Sequence, residues 1–295
     1  MNRPLEYRVA IVVGAGRGIG RSIALAFAGA GARLMLAART GSELRNVAED
    51  CRKLGAQAEF TIADISRWDD AQKLTAAGID RYESVDVLVN CAGVYGPIGL
   101  LSESDPQAWT KAVEVNLFGT FHVCRAIVPH MRQRGQGKII LLGGGGATAP
   151  LPNFSSYAAS KAGVARLGDT LAEELRESNV QVNVIAPGLV DTRLQDEVLA
   201  AGAKAGALYE KIREARETGK GAVSPDVAAG LAVFLASAAS GRLTGKLIAA
   251  PYDPWQEWAG KIDEINSTPL YTVRRLDPFT ITPLMKVIEP ARVPA

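Results

Sequence analysis

The sequence has few of the residues that mark secreted, nucleic-acid-binding or membrane proteins. Its three cysteines, Cys51, Cys91 and Cys124, are odd in number and show no CxxC spacing, so a disulfide framework is not expected. A formal net charge of +2 gives no reason to expect a polyanionic partner such as nucleic acid. The N-terminus MNRPLEYR lacks the apolar core of a signal peptide, and no apolar run is long enough to span a bilayer. We therefore expect a cytoplasmic protein with no membrane and no nucleic-acid partner.

Histidine and aromatic residues are also scarce. His122 and His130 have no acidic or cysteine neighbours at metal-ligand spacing, so the sequence predicts no metal site. Aromatic residues make up 6% of the chain and are not interleaved with basic clusters, which again disfavours nucleic-acid binding. Hydrophobic residues make up 47% of the 295 residues, enough for a sizeable core in one α/β domain with or without an appendage.

Short apolar runs alternate with segments of helical composition through the first part of the chain. Strands are predicted at 9–13, 33–38, 58–63, 85–89, 138–142 and 181–186, and helices at 21–30, 42–53, 68–81, 109–134 and 156–177. Continuous apolar strands between helices indicate a parallel sheet that is covered on both faces. The predicted fold is therefore α/β, a doubly wound sheet of Rossmann type.

The first strand runs into a glycine-rich turn, VAIVVGAGRGIG, over residues 9–20. Gly14, Gly18 and Gly20 allow a sharp turn and a close approach to a ligand, and the next helix points its N-terminal N–H groups at the same place. A pyrophosphate fits such a site. The spacing is GxxxGxG, with Gly16 as an extra glycine, and differs from the common GxGxxG. A turn that serves only packing is therefore the alternative.

The end of the second strand indicates which dinucleotide binds. A carboxylate there bonds the ribose of NAD, whereas an arginine accommodates the 2′-phosphate of NADP. This chain has Ala38, Arg39 and Thr40 at that point, and Arg17 in the glycine turn can reach the same phosphate. The sequence therefore predicts NADP(H) in preference to NAD(H). The alternative is that both arginines are solvated surface residues.

Further polar motifs follow the later strands, at the edge where open α/β sheets bind ligands. They are Asp64 in ADIS, Asn90 in NCAG, Asn116 in EVNLFGTF, Tyr157 and Lys161 in YAASK, and the pair Pro187–Gly188. In this order the motifs closely resemble the classical short-chain dehydrogenase/reductase family over about residues 7–250. The resemblance implies a seven-stranded parallel sheet and a homodimer or homotetramer packed through the two long helices.

The resemblance also implies roles for these residues. Tyr157 is the general acid or base, Lys161 its electrostatic partner and a contact of the nicotinamide ribose, and Asn116 a part of the proton relay. The predicted cofactor contacts are Gly14, Arg17, Gly18, Ile19, Gly20, Arg39, Thr40, Asp64, Ile65, Asn90, Ala92, Gly93, Tyr157, Lys161, Pro187, Gly188, Val190 and Thr192. Residues four apart share a helix face, so we expect the ammonium group of Lys161 to lower the pKa of the Tyr157 phenol. An accidental YxxxK on an ordinary helix is the alternative.

One position departs from the family pattern. Gly144, in KIILLGGGGATAP, stands where the family has a serine whose hydroxyl bonds the substrate oxygen. Thr148, Ser155 and the backbone N–H groups of residues 143–146 are candidate replacements, and a merely flexible bend is the alternative. Tyr95, Gly144 and Ser155 are assigned to the substrate pocket, although Tyr95 fits ordinary loop packing equally well.

The composition changes beyond Ala250. Residues 251–295 contain seven of the 15 prolines and two of the four tryptophans, too apolar a segment for a disordered linker. We expect residues 1–250 to form a single dinucleotide-binding and catalytic domain. Residues 251–295 are then a C-terminal extension packed on the core or on a neighbouring subunit.

The sequence as a whole predicts an NADP(H)-dependent oxidoreductase that interconverts a ketone and a secondary alcohol. Its partner is then a small carbonyl or alcohol substrate. The main alternative is a non-catalytic dinucleotide-binding protein, a sensor or partner-binding module, which the glycine at 144 makes reasonable. The presence of Tyr157, Lys161 and Asn116 favours the enzyme.

Overall fold

Strands and helices alternate along the chain in a computed structural model that describes residues 3–275. The strands are β1 (Val9–Val13), β2 (Arg33–Ala38), β3 (Ala58–Ile62), β4 (Val87–Asn90), β5 (Gly137–Leu142), β6 (Val180–Ala186) and β7 (Leu247–Ala249). The helices are α1 (Gly18–Gly29), α2 (Gly41–Lys53), α3 (Trp68–Tyr82), α4 (Pro106–Val113), α5 (Gly119–Arg134), α6 (Ser155–Glu174), α7 (Arg193–Ala201), α8 (Ala207–Thr218), α9 (Pro225–Ala236) and α10 (Ile262–Ser267).

The seven strands form one sheet in the order β3-β2-β1-β4-β5-β6-β7, and every neighbouring pair is parallel. This arrangement confirms the predicted doubly wound fold. The chain moves outward from β1 to β3 and then returns to the other side of β1 at β4. The strand order therefore reverses between β1 and β4, which is where open α/β sheets leave a crevice for a ligand.

Both faces of the sheet are covered, as the continuous apolar strands require. All five residues of β1 are buried. On one face the core includes Phe27 of α1 and Leu231 of α9, and on the other it includes Leu74 of α3 and Ile127 of α5. Because each strand is held from both sides, the ends of β1 and β4 have a rigid support.

The helix predicted over 109–134 changes its hydrogen-bond pattern near its middle. The structure has α4, then a wide π-helical turn at Glu114–Phe118, then α5. Asn116 lies in this turn, where its side chain bonds the backbone N–H and carbonyl of Val94, each at 2.8 Å. Such turns occur mostly as local bulges at functional sites. The long helix predicted over 109–134 is therefore present, with a π-helical turn at the residue assigned to the proton relay.

The segment after β7 packs against the edge of the sheet. The Leu247 N–H donates to the carbonyl of Tyr271 at 2.7 Å, and the Ala249 N–H donates to Asp253 Oδ2 at 2.7 Å. Trp258, which belongs to this segment, is buried in the core. The remainder of the predicted extension, residues 276–295, lies outside the described residues. Within 3–275, no helix combines the length and apolar character needed to cross a membrane.

Candidate active site

The turn between β1 and α1 is shaped for close approach. Gly14 has φ +74°, and a Cβ there would lie 2.7 Å from the backbone nitrogen of Ala92. A Cβ at Gly20 would overlap the carbonyl oxygen of Gly14. The first turn of α1 contains no acidic residue, so its N–H groups and partial positive charge face the turn without an internal counter-charge. The turn therefore fits a pyrophosphate on two grounds, space and charge.

A single cleft collects most of the predicted cofactor contacts. Twelve of them line it, namely Gly14, Arg17, Gly18, Ile19, Gly20, Arg39, Thr40, Asp64, Ile65, Ala92, Gly93 and Thr192. The carboxyl ends of β1, β2, β3 and β4 and the start of α7 supply these residues. The cleft follows the strand ends on both sides of the reversal between β1 and β4.

The other predicted cofactor contacts lie behind or beside the residues that line the cleft. Asn90 is buried; its side chain donates to Thr120 Oγ1 at 2.9 Å and accepts from the Ala92 N–H at 3.2 Å, so it shapes the turn after β4. Gly188 has φ +81°, and a Cβ there would lie 2.9 Å from Pro251. Val190 is buried and forms a parallel bridge with Val223. Pro187, Gly188 and Val190 belong to the loop between β6 and α7.

Asp64 is a charged wall of the cleft at the end of β3. Burial alone raises the pKa of its carboxyl, but hydrogen bonds from Ser66 and the charges of Lys111 and Arg39 outweigh that effect and leave the pKa below its ordinary value. The backbone N–H and the hydroxyl of Ser66 both donate to Asp64 Oδ1. The carboxylate is therefore fixed and ionised at neutral pH.

Gly93 joins the cleft to the Tyr157–Lys161 face of α6. A Cβ at this position would lie 3.3 Å from Asn116 Oδ1 and 3.4 Å from Lys161 Nζ. The Asn116 amide also donates to Ser160 Oγ at 2.9 Å, which fixes the wide turn against α6. The three predicted catalytic side chains thus converge where the cleft meets α6.

The protonation of Tyr157 differs from the expectation. Burial raises its pKa, and the neighbouring phenol of Tyr95 raises the pKa further. The Lys161 ammonium group, which donates to the Leu142 carbonyl at 2.8 Å and lies 5.7 Å from the centre of the Tyr157 ring, does not reverse this rise in the pKa. Burial lowers the pKa of Lys161 to about 8. At neutral pH the pair is a neutral phenol beside an ammonium group, the form that can donate a proton.

Gly144 faces the Tyr157 phenol directly. A Cβ at this position would overlap the Tyr157 hydroxyl. Among the candidate replacement donors, Thr148 is exposed, and the Gly143 N–H is bonded to the Ile185 carbonyl at 2.9 Å. Ser155 accepts a hydrogen bond from Trp109 Nε1 at 3.0 Å. This bond fixes Ser155 Oγ against α4 and leaves its hydroxyl proton free to donate, so Ser155 and the N–H groups of residues 144–146 remain candidates.

Tyr95 packs on Tyr157 with ring centres 4.7 Å apart. Its hydroxyl donates to Gln195 Oε1 at 3.2 Å, and Gln195 Nε2 donates to the Val190 carbonyl at 3.3 Å. Gln195 belongs to α7 and is buried. Gln195 is not predictable from the sequence, since a single glutamine in an Ala-rich charged segment carries no motif.

Three charged residues of the cleft were also missed, namely Glu43, Arg193 and Glu197. Glu43 lies in the first turn of α2, five positions after Ala38 at the end of β2. Residues 3–275 contain no group of three or more His, Cys, Asp or Glu side chains that could hold a metal ion.

Comparison with known proteins gives concordant matches. The family model described as short chain dehydrogenase matches residues 8–202. Dehydrogenase/reductase SDR family member 4 of Sus scrofa is 30% identical over 83% of this chain and 86% of its own length. The structure of actinorhodin polyketide ketoreductase with NADPH is 29% identical, with a TM-score of 0.76 over 82% of this chain and 95% of that one. The structure of 7 alpha-hydroxysteroid dehydrogenase complexed with NADH and 7-oxo glycochenodeoxycholic acid is 31% identical, with a TM-score of 0.75 over 84% and 94%.

Proposed function

The chain belongs to the short-chain dehydrogenase family, and we propose that it is an NADP(H)-dependent oxidoreductase that interconverts a ketone and a secondary alcohol. The observation that carries this proposal is the convergence at Gly93, where the glycine-rich cleft meets Asn116 and Lys161. Relatives with NADPH and with NADH are both similar to this chain, so the preference for NADP(H) rests on Arg17 and Arg39 in the cleft.

The proposed mechanism assigns the proton to Tyr157. A bound nicotinamide supplies or accepts the hydride. In the direction of reduction, the phenol of Tyr157 donates its proton to the substrate oxygen, and Lys161 stabilises the phenolate that remains. Asn116 holds the loop after β4 against α6 through Val94 and Ser160. The Tyr95 ring forms one side of the pocket around the Tyr157 hydroxyl.

A panel of ketones and secondary alcohols, followed by NADPH absorbance, tests the proposed reaction. We expect turnover of at least one ketone and alcohol pair. A protein that binds NADPH but turns over nothing in a broad panel would support the alternative, a dinucleotide-binding sensor. That alternative is kept because the family serine is replaced by Gly144.

Replacing Arg39 by aspartate is expected to reverse the cofactor preference. The guanidinium group that would bond the 2′-phosphate is lost, and the new carboxylate can accept from a ribose hydroxyl. The ratio of the NADPH and NADH dissociation constants should change by about 10- to 100-fold, the effect of one or two charge-assisted hydrogen bonds. Both constants are measured at one ionic strength. Arg45→Asp, an exposed charge reversal on α2, is the control and should leave the ratio unchanged. Tighter binding of NADH by the natural protein would refute the proposed preference.

Restoring the family serine at position 144 is expected to gain little. A side chain there must displace the Tyr157 hydroxyl, so turnover with the best substrate should rise less than about tenfold or fall. Gly145→Ser is the matched control, because a Cβ at that position meets nothing closer than 3.7 Å. If the donor has merely been lost, Gly144→Ser should instead raise turnover by about 10²- to 10³-fold.

We propose that the protein assembles as a homodimer or homotetramer in the cytoplasm. The groove between α5 and α6 is lined by Phe121, Val128, Leu167 and Leu171, and the Phe121 residue is 47% exposed. Arg125, Arg132 and Glu174 also line the groove, so exposed apolar side chains with charged neighbours favour burial against a second copy. We also propose the domain division at residue 250, with the extension packed on the core or on a neighbouring subunit.

A further inference from the structure

A carboxylate from another element of the fold lies beside the glycine-rich turn. Glu43, from the first turn of α2, reaches into the space beside Gly16, where a Cβ would lie 3.0 Å from Glu43 Oε2. Gly16 thus leaves room for this side chain at the end of the cleft formed by Arg17, Arg39 and Thr40. The acid that is missing at the end of β2 is provided by the following helix.

One oxygen of this carboxylate is shared by two arginines. Glu43 Oε1 lies 3.5 Å from Arg17 Nη1 and 3.4 Å from Arg193 Nη1. The two arginine side chains are 53% and 65% exposed, whereas Glu43 is 27% exposed. Long contacts between exposed groups hold weakly, so a stronger anion can displace them. Arg17 therefore has a competitor for its guanidinium group already in the cleft.

The same region has a second carboxylate. Glu197 of α7 lines the cleft, and burial raises its pKa, while the charge of Arg17 acts in the opposite direction. The cleft therefore contains three arginines, Arg17, Arg39 and Arg193, together with Glu43 and Glu197. This mixture is less positive than the arginines alone indicate.

We propose that Glu43 determines cofactor specificity in opposition to the arginines. It competes with a 2′-phosphate for Arg17 and Arg193, and it offers an acceptor to the hydroxyl of an unphosphorylated ribose. Glu43 thereby narrows the preference for NADP(H) over NAD(H). This inference rests on the proposed function, because it concerns the cofactor of the same site.

Calorimetric titration of the full-length protein tests the inference without any activity measurement. The probes are NADPH and NADH, with 2′,5′-ADP and 5′-ADP to isolate the ribose end. Glu43→Gln should tighten 2′,5′-ADP and NADPH while leaving 5′-ADP and NADH equal or weaker, so that the NADPH/NADH ratio shifts by about tenfold. The shift should shrink in 1 M salt, where the Debye length is about 3 Å.

Asp50→Asn is the matched control. Asp50 also lies on α2 and pairs with an arginine, Arg21 of α1, but it does not line the cleft. Asp50→Asn removes one negative charge from α2, as Glu43→Gln does, and should leave the NADPH/NADH ratio unchanged. An unchanged ratio in Glu43→Gln, or weaker binding of 2′,5′-ADP, would overturn the role of Glu43. Failure of the proposed function looks different, because then the natural protein turns over nothing in the panel of ketones and alcohols, whatever the ratio measured for Glu43→Gln.

Discussion

Replacement of Tyr157 by phenylalanine is expected to lower turnover by about 10²- to 10⁴-fold while NADPH binding stays nearly unchanged. Only the hydroxyl is removed, and the ring keeps its packing on Tyr95. The phenol is the proposed proton donor, and burial keeps it protonated at neutral pH by raising its pKa. Steady-state kinetics with the best substrate of the panel and a direct measurement of the NADPH dissociation constant check both parts.

Tyr82→Phe provides the control for this experiment. Tyr82 is also buried, and its hydroxyl donates to the Leu34 carbonyl at 3.0 Å, at the end of α3. Loss of that hydroxyl should cost some stability and leave turnover within about twofold, as for a residue away from the site. Retained turnover in Tyr157→Phe would remove the phenol from the mechanism.

Replacement of Lys161 by alanine is expected to impair both turnover and cofactor binding. The variant loses the ammonium group that stabilises the phenolate, and the Leu142 carbonyl loses its buried partner, which costs about 1–3 kcal/mol of stability. We expect turnover to fall by at least about 10²-fold and NADPH to bind at least about tenfold more weakly. Kinetics, calorimetry and thermal unfolding are measured on the same preparation.

Lys138→Ala separates a catalytic loss from a structural one. Lys138 lies in β5, and burial lowers its pKa to about 8, the same value as for Lys161. It donates to Ser240 Oγ at 2.8 Å and to the Gly241 carbonyl at 2.9 Å. This control should lose stability and keep its NADPH affinity. If Lys161→Ala also keeps full NADPH affinity and turnover, Lys161 has no part in the reaction.

The strands of the sheet could be predicted from the sequence because the pattern that marks each strand lies within a few consecutive residues. Continuous apolar runs mark buried parallel strands, and β2 has the predicted bounds, Arg33–Ala38. The placement of polar residues after the strands was equally predictable, since parallel strands bring their carboxyl ends to one edge. For the same reason, Asp64, Ala92 and Gly93 lie along one cleft.

The contacts that tune the site depend on elements distant in sequence. The Arg193–Glu43 pair joins residues 150 positions apart, and Tyr95 and Gln195 are 100 positions apart. No local pattern encodes such pairs. The direction of the Tyr157 pKa was mispredicted because helix spacing shows that Lys161 shares its face, but does not show that the phenol is buried and packed on Tyr95, which both raise its pKa.

The covering of β7 has a consequence for synthesis of the protein on the ribosome. An uncovered edge strand can pair with other chains, and here its Leu247 and Ala249 N–H groups are bonded to Tyr271 and Asp253. Translation proceeds from the N-terminus, so β7 leaves the ribosome before residue 271 does. The nascent sheet therefore passes through an interval in which its last edge is open to a neighbouring chain. The exposure of this edge ends only when the segment after β7 has folded against the strand.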